Sequence, residues 1–153
     1  MTVYAAVVGA SVASEDQEAV AHRVGRELGQ AGAIVITGGG GGVMAAASQG
    51  AREAGGRVVG ILPGENRGAA NPWVEIALTT GLGELRNGLI VRSADVVIAV
   101  GGAYGTLSEI ALALAAGTPV IGLDTWAIDG IEVAASPAAA VARALELARR
   151  SDS

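Results

Sequence analysis

The sequence predicts an α/β fold: a Rossmann-like three-layer sandwich with a mainly parallel sheet covered by helices on both faces. Three observations carry this expectation. Short runs rich in valine and isoleucine alternate with helical segments along the chain. Those runs are almost continuously apolar, as strands covered on both faces must be, rather than alternating apolar and polar. Glycine clusters stand where strands give way to helices, as in "TGGGGG" (37–42) and "VGGAYGT" (100–106). The 153 residues are 51% hydrophobic and 16% charged. One domain, 1–153, accounts for them, and a chain of this length buries roughly 70% of its unfolded surface.

"VYAAVVG" (3–9) is the first strand. "SEDQ" (14–17) matches a capping box, in which Ser14 accepts from the Gln17 amide and the Gln17 side chain reaches back. The helix it starts runs to about residue 31, with Val20, Val24 and Leu28 on its buried stripe and His22 off it, facing solvent. "AIVIT" (33–37) is the second strand, and the glycine pentad turns it into a helix over about 43–54. "RVVGIL" (57–62) is the third strand, followed by a long connection, 63–73, and a short strand, 74–79. A helix over about 82–93 buries Leu82, Leu85 and Leu89, with Arg86 on the flank of that stripe. "DVVIAV" (95–100) is a strand, a helix covers about 106–116, and "PVIGL" (119–123) is the next strand. The final helix opens with Ser136 at its N-cap and Pro137 at its first position.

Missing residue types exclude several chemistries. With no cysteine there is no disulfide, thiolate nucleophile or cysteine metal site. A single histidine, His22, removes histidine-cluster metal sites, and no metal site is expected. All ten positive charges are arginine, so a Walker A lysine and a pyridoxal-phosphate lysine are both absent. The net charge of −5, without a basic cluster beyond Arg149 and Arg150, argues against a nucleic-acid partner. The apolar start lacks a basic n-region, and the uncharged run 33–51 is broken by glycines. No membrane span is expected, and a cytoplasmic protein is the default.

In a parallel sheet all carboxyl ends lie on one edge, where ligands bind. The loops after the first, second and fifth predicted strands should therefore meet there. Gly9 and Ser11, then Gly38, Gly39, Gly41 and Gly42, then Gly102, Ala103, Tyr104, Gly105 and Thr106 are the candidate ligand-binding positions. Glycine lets backbone amides approach an anion, and a helix N-terminus adds a favourable dipole. One such loop is equally well explained by a tight turn; two together favour a ligand, a phosphorylated small molecule. No clean G-x-G-x-x-G follows the first strand, so dinucleotide binding of the usual kind is disfavoured.

Glu109 is the one charge in "AVGGAYGTLSEI" (99–110), on a helix apolar on both sides. A helix apolar all round is buried, in part against a second copy, so a homodimer or higher homo-oligomer is expected. Glu109 has two readings. It can close a capping box, Thr106-x-x-Glu109, or serve a ligand. Arg86 likewise can be its structural partner or share a ligand with it.

"TGGGGGVM", "LRN" and "GGAYGTLSE", with the strands between them, resemble one superfamily over about residues 3–123. It includes the Lonely Guy (LOG) phosphoribohydrolases, long misnamed lysine decarboxylases, and the molybdenum-cofactor carrier proteins. The resemblance is closest to the carrier-like branch. In the LOG motif P-G-G-x-G-T-x-x-E, Gly102, Gly105, Thr106 and Glu109 match, while Gly101 replaces the proline and Ala103 a glycine. Arg86 matches the LOG arginine, and Asn87, at the position of the lysine that follows it, is a further candidate ligand-binding position. The resemblance implies phosphate binding around 102–106, with Arg86 and Glu109 as catalytic residues if the chain is an enzyme. The reaction would be cleavage of the N-glycosidic bond of a nucleoside 5′-monophosphate, with no cofactor needed for the chemistry. The alternative it implies is a non-catalytic carrier or sensor of a pterin such as the molybdenum cofactor. In either case the connection 63–73, with Arg67 and Trp73, is a candidate cover for the bound nucleotide or pterin.

Overall fold

A computed structural model describes residues 1–151. Its strands are β1 (Tyr4–Gly9), β2 (Ile34–Thr37), β3 (Arg57–Leu62), β4 (Ile76–Thr79), β5 (Val96–Val100), β6 (Val120–Leu123) and β7 (Ile131–Val133). The helices are α1 (Glu15–Gln30), α2 (Val43–Glu53), α3 (Asn87–Arg92), α4 (Tyr104–Ala115) and α5 (Pro137–Arg150). The seven strands form one sheet, ordered β4-β3-β2-β1-β5-β6-β7, and every pairing is parallel. The α/β Rossmann-like class expected from the apolar runs is the observed one.

The two faces of the sheet carry separate cores. Ala5 and Val7 of β1 and Val96 and Ile98 of β5 pack with residues of α1, α2 and α5. Ala6 and Val8, with Val97 and Ala99, pack instead with Ile90 and Val91 of α3 and Ile110 and Ala113 of α4. This is the period-two alternation of a strand, with both faces apolar because both are covered. The chain winds outward from β1 through β2 and β3 to β4, then returns to β5 on the other side of β1. The loops leaving β1 and β5 therefore diverge, which opens a crevice at the switch point of the sheet.

Local signals hold at both capped helices. Ser14 Oγ accepts from the Gln17 amide at 3.1 Å, and Gln17 Oε1 accepts from the Ser14 amide at 3.1 Å. Ser136 Oγ caps α5 through the Ala139 amide, with Pro137 at the start of the helix. His22 is not simply solvated. It is half-buried and bonds Glu53 of α2 at 2.9 Å, which holds the Glu53 carboxyl below its usual range. No helix of the described residues is long and apolar enough to cross a membrane.

The contact between α1 and α2 is set by glycine. A Cβ on Gly25 would lie 1.9 Å from the Ala47 carbonyl oxygen, and one on Gly50 would lie 2.0 Å from the His22 carbonyl oxygen. These neighbours are backbone and can yield only if the helices separate. Gly25→Val is expected to destabilise the protein by about 2–3 kcal/mol, the cost of overpacking a close interface. A lowered urea midpoint at unchanged slope checks it.

Three features differ from the sequence reading or add to it. The segment 82–93 is not one helix: Gly83–Arg86 is a 3-10 turn and only Asn87–Arg92 is α-helical. The change of pitch rotates the buried side, so Leu82 (47% exposed), Leu85 (80%) and Leu89 (43%) face outward while Asn87, Ile90 and Val91 are buried. Second, within one chain α4 is buried on one side only; the sequence reading places the rest of its burial against a second copy. Ile110 and Ala113 face the sheet, but Ala111, Leu112 and Ala115 are exposed, because only α3 and α4 build up that face. Third, β7 had no sequence signal: its three residues, "IEV", are too short for a periodic pattern.

Candidate functional site

The crevice between the ends of β1 and β5 holds a cavity of about 470 Å³. Its walls come from the β1 end (Gly9 to Val12), the turn before α3, and the first turns of α4. Gly101 (φ 54°) and Gly102 (φ 125°) make the reversal from β5 into α4. Both angles lie in the region that favours glycine. The helix consequently starts at Tyr104, two residues earlier than the sequence suggested.

That shift removes the capping box. Ala103 is the N-cap of α4 and has no side-chain cap, so Thr106 sits inside the first turn. The first backbone bond of α4 runs from the Leu107 amide to the Ala103 carbonyl at 3.1 Å. The amides of Tyr104, Gly105 and Thr106 have no acceptor among the described residues. Gly105 and Thr106 line the cavity, so this helix presents open N–H groups and the positive end of its dipole to that space.

Glu109 lies one turn deeper, also in the cavity wall, and is 7% exposed. Among the described residues its carboxylate makes no hydrogen bond and no ion pair. Burial pushes its pKa up to about 7, against the opposing pull of the Arg86 charge. Arg86 approaches from the 3-10 turn before α3. Its Nη1 donates to Asn87 Oδ1, and its Nη2 donates to the Gly38 carbonyl at 3.5 Å. Its Nε is buried with no partner. Burial lowers the Arg86 pKa, and Glu109 and Glu84 oppose that shift. Arg86 and Glu109 are thus electrostatically coupled but do not touch, which is not the direct structural pair the sequence left open.

The other expected positions divide. Gly9, Ser11, Asn87, Ala103, Gly105 and Thr106 line the cavity with Arg86 and Glu109. Gly38 lies behind Arg86: a Cβ there would meet Arg86 Nη2 at 2.8 Å, so this glycine makes room for the guanidinium. Gly39, Gly41 and Gly42 are outside the wall. Gly42 (φ 58°) lets α2 start against β1, where a Cβ would meet the Ala10 carbonyl oxygen at 2.3 Å. Gly102 and Tyr104 are also outside the wall; Tyr104 is exposed and stacks on Trp126, with ring centroids 6.1 Å apart.

The connection 63–73 contributes only Pro63 to the cavity. Asn71 ties it to the glycine pentad, its amide to the Gly39 carbonyl at 2.8 Å and its Nδ2 to the Gly40 carbonyl at 2.9 Å. Arg67 and Trp73 do not reach the site in this arrangement. Sequence reasoning missed Ala10, Val12, Met44, Gly83 and Glu84. Of these only Glu84 carried a signal, an acidic residue two positions before Arg86.

A model of the SLOG cluster4 family matches residues 2–149. The chain belongs to that family. A relative of this SLOG cluster4 protein in Archaeoglobus fulgidus is 43% identical over 136 residues, covering 88% of this chain and 89% of the relative. Two solved structures are similar over almost their whole length. The molybdenum cofactor binding protein of the phototrophic bacterium Rippkaea orientalis is 36% identical, with a TM-score of 0.88 over 100% of this chain and 99% of that one. The Moco carrier protein of Chlamydomonas reinhardtii is 34% identical, with a TM-score of 0.89 over 98% of this chain and 99% of that one. The LOG and molybdenum-cofactor carrier resemblance read from the glycine motifs therefore holds for the SLOG cluster4 chain.

Proposed function

We propose that this protein binds a phosphorylated pterin of the molybdenum-cofactor type in the cavity between β1, α3 and α4, and carries it without turning it over. The observation that carries the reading is one cavity shared by three unsatisfied groups: the open amides at the start of α4, the buried Arg86 Nε and the unpaired Glu109 carboxyl. A native protein rarely leaves such groups unpartnered; the amides and the guanidinium fit the anionic part of a ligand, and the Glu109 carboxyl fits a polar part of it. The amides of Gly105 and Thr106, with the guanidinium of Arg86, suit a phosphate. The similar cofactor-binding and carrier structures supply the pterin class.

A second reading, hydrolysis of a nucleoside 5′-monophosphate, is favoured by Glu109 itself. A buried carboxyl group beside an arginine can stabilise an oxocarbenium-like transition state, by analogy with glycoside cleavage. Anaerobic equilibrium binding of the molybdenum cofactor, beside an assay for ribose 5-phosphate release from nucleoside monophosphates, separates the two. Tight binding with no release supports the carrier. Release without cofactor binding supports the hydrolase.

Gly105 supplies a variant that blocks the cavity without straining the fold. A Cβ there meets nothing within 4 Å, and its φ is not in the glycine region, so a side chain is tolerated by the fold. The same is not true of Gly102, whose φ and close approach to Thr106 make any substitution strained. Gly105→Trp is expected to fill the mouth of the cavity. Ligand affinity should fall at least about tenfold, equivalent to about 1.4 kcal/mol, with little change in the thermal midpoint.

A further inference from the structure

The charges lining the cavity do not suit an anion as they stand. Glu84, Arg86 and Glu109 are the charged residues in its wall, two carboxyl groups against one guanidinium. The elements packed on α4 do not change this balance. β5 and β6 carry no charged residue, β1 carries only the titratable Tyr4 at its far end, and α3 adds Arg92 at its last position. α4 itself has no ionisable group besides Tyr104 and Glu109.

Glu109 is the less solvated of the two carboxyl groups: it is buried, whereas Glu84 is exposed. No hydrogen-bond donor of the described residues reaches its carboxyl group, and the Arg86 charge only partly offsets its burial. A ligand phosphate at the neighbouring amides would place a second negative charge beside it, and like charges in a desolvated site favour protonation of one of them. We propose that an anionic ligand enters this cavity together with a proton, so that Glu109 acts as a carboxylic-acid hydrogen-bond donor to an acceptor atom of the ligand. The proton comes from solvent and stays on the carboxyl group; no bond of the ligand is broken. The inference rests on reading the cavity as the site of a phosphorylated ligand.

The arrangement has a chemical consequence for specificity. A protonated Glu109 requires an acceptor opposite it, such as a phosphate oxygen or a ring carbonyl, and disfavours a cationic or donor-only group. It also opposes the hydrolase reading, which needs the carboxylate form to stabilise a cation. In the free protein Glu109 titrates near 7, so at neutral pH the acid is available at little cost.

Calorimetric titration of the wild-type protein with the molybdenum cofactor, handled anaerobically at pH 8 in two buffers of different ionisation enthalpy, measures the proton count. About one proton per ligand should be taken up beyond that taken up by Glu109→Gln, in which every contribution except that of Glu109 remains. Above pH 7 the wild-type affinity should fall about tenfold per pH unit relative to the variant. Equal proton counts in the two proteins, with binding intact, overturn the inference and leave the binding reading standing. Release of a proton on binding also overturns it. Absence of binding at every pH overturns the binding reading, and this inference with it.

Discussion

Arg86→Ala is expected to lower ligand affinity by about 100-fold, the loss of roughly 2.7 kcal/mol from a charge-assisted contact in a desolvated site. Isothermal titration at pH 7 checks it. The folded state should suffer much less. Arg86 gives up bonds to Asn87 Oδ1 and the Gly38 carbonyl, and leaves a pocket beside Gly38. That costs about 1–2 kcal/mol. Removing one partner of a directly bonded buried ion pair would cost roughly 3–5 kcal/mol instead. Arg86 and Glu109 make no such bond, and Glu109 escapes its stranded charge by holding a proton. A stability loss in the larger range with unchanged affinity would mean that Arg86 serves the scaffold. Arg86→Lys should restore part of the stability but not the affinity, since an ammonium cannot reproduce the planar fork.

Glu109→Gln should make the protein more stable than the wild type at alkaline pH. The Glu109 pKa is raised from 4.5 to about 7 in the folded protein, so the folded state binds more protons than the unfolded chain in that interval. Stability from this group is therefore complete below about pH 4.5 and lost as pH rises through about 7. A displacement of that size corresponds to about 3 kcal/mol. Glutamine keeps the shape and loses the titration. The difference in thermal midpoint between variant and wild type should grow between pH 5 and 8 and level off above. For a domain of this length it should reach roughly 6–12 °C, at about 2–4 °C per kcal/mol. A difference that stays flat with pH would show that Glu109 does not titrate in this interval. Other ionisable groups, such as Glu53 and Glu132, affect both proteins equally and cancel in the comparison.

Much of the fold was legible because its signals are local. A strand such as β5, "VVIAV", needs no more than its own run of apolar residues to declare two covered faces. The capping box at Ser14 and the Ser136–Pro137 start of α5 depend on neighbours within three residues, and both appear as read. The convergence of Gly9, Ser11, Gly105 and Thr106 followed from topology, since parallel strands put their carboxyl ends on one edge. The glycine loops were harder to sort. Glycine looks the same in sequence whether it exposes an amide, as at Gly105, or admits a neighbouring backbone, as at Gly42.

By itself the sequence determined the class of the fold, the parallel sheet, the edge on which the cavity lies and the presence there of Arg86 and Glu109. Only the tertiary structure decided what those two residues do for each other. The start of α4 moved from 106 to 104 because Gly101 and Gly102 complete the turn early, and with it the capping box vanished. The turn before α3 tightened to a 3-10 pitch, which sent three leucines outward and turned Asn87 inward beside Arg86. Helix phase decides which face a side chain occupies, and a shift of one or two residues moves it by 100° or more. That phase is set by the reversal into the helix and by the surface it packs on, and neither is written in the spacing of the residues it positions.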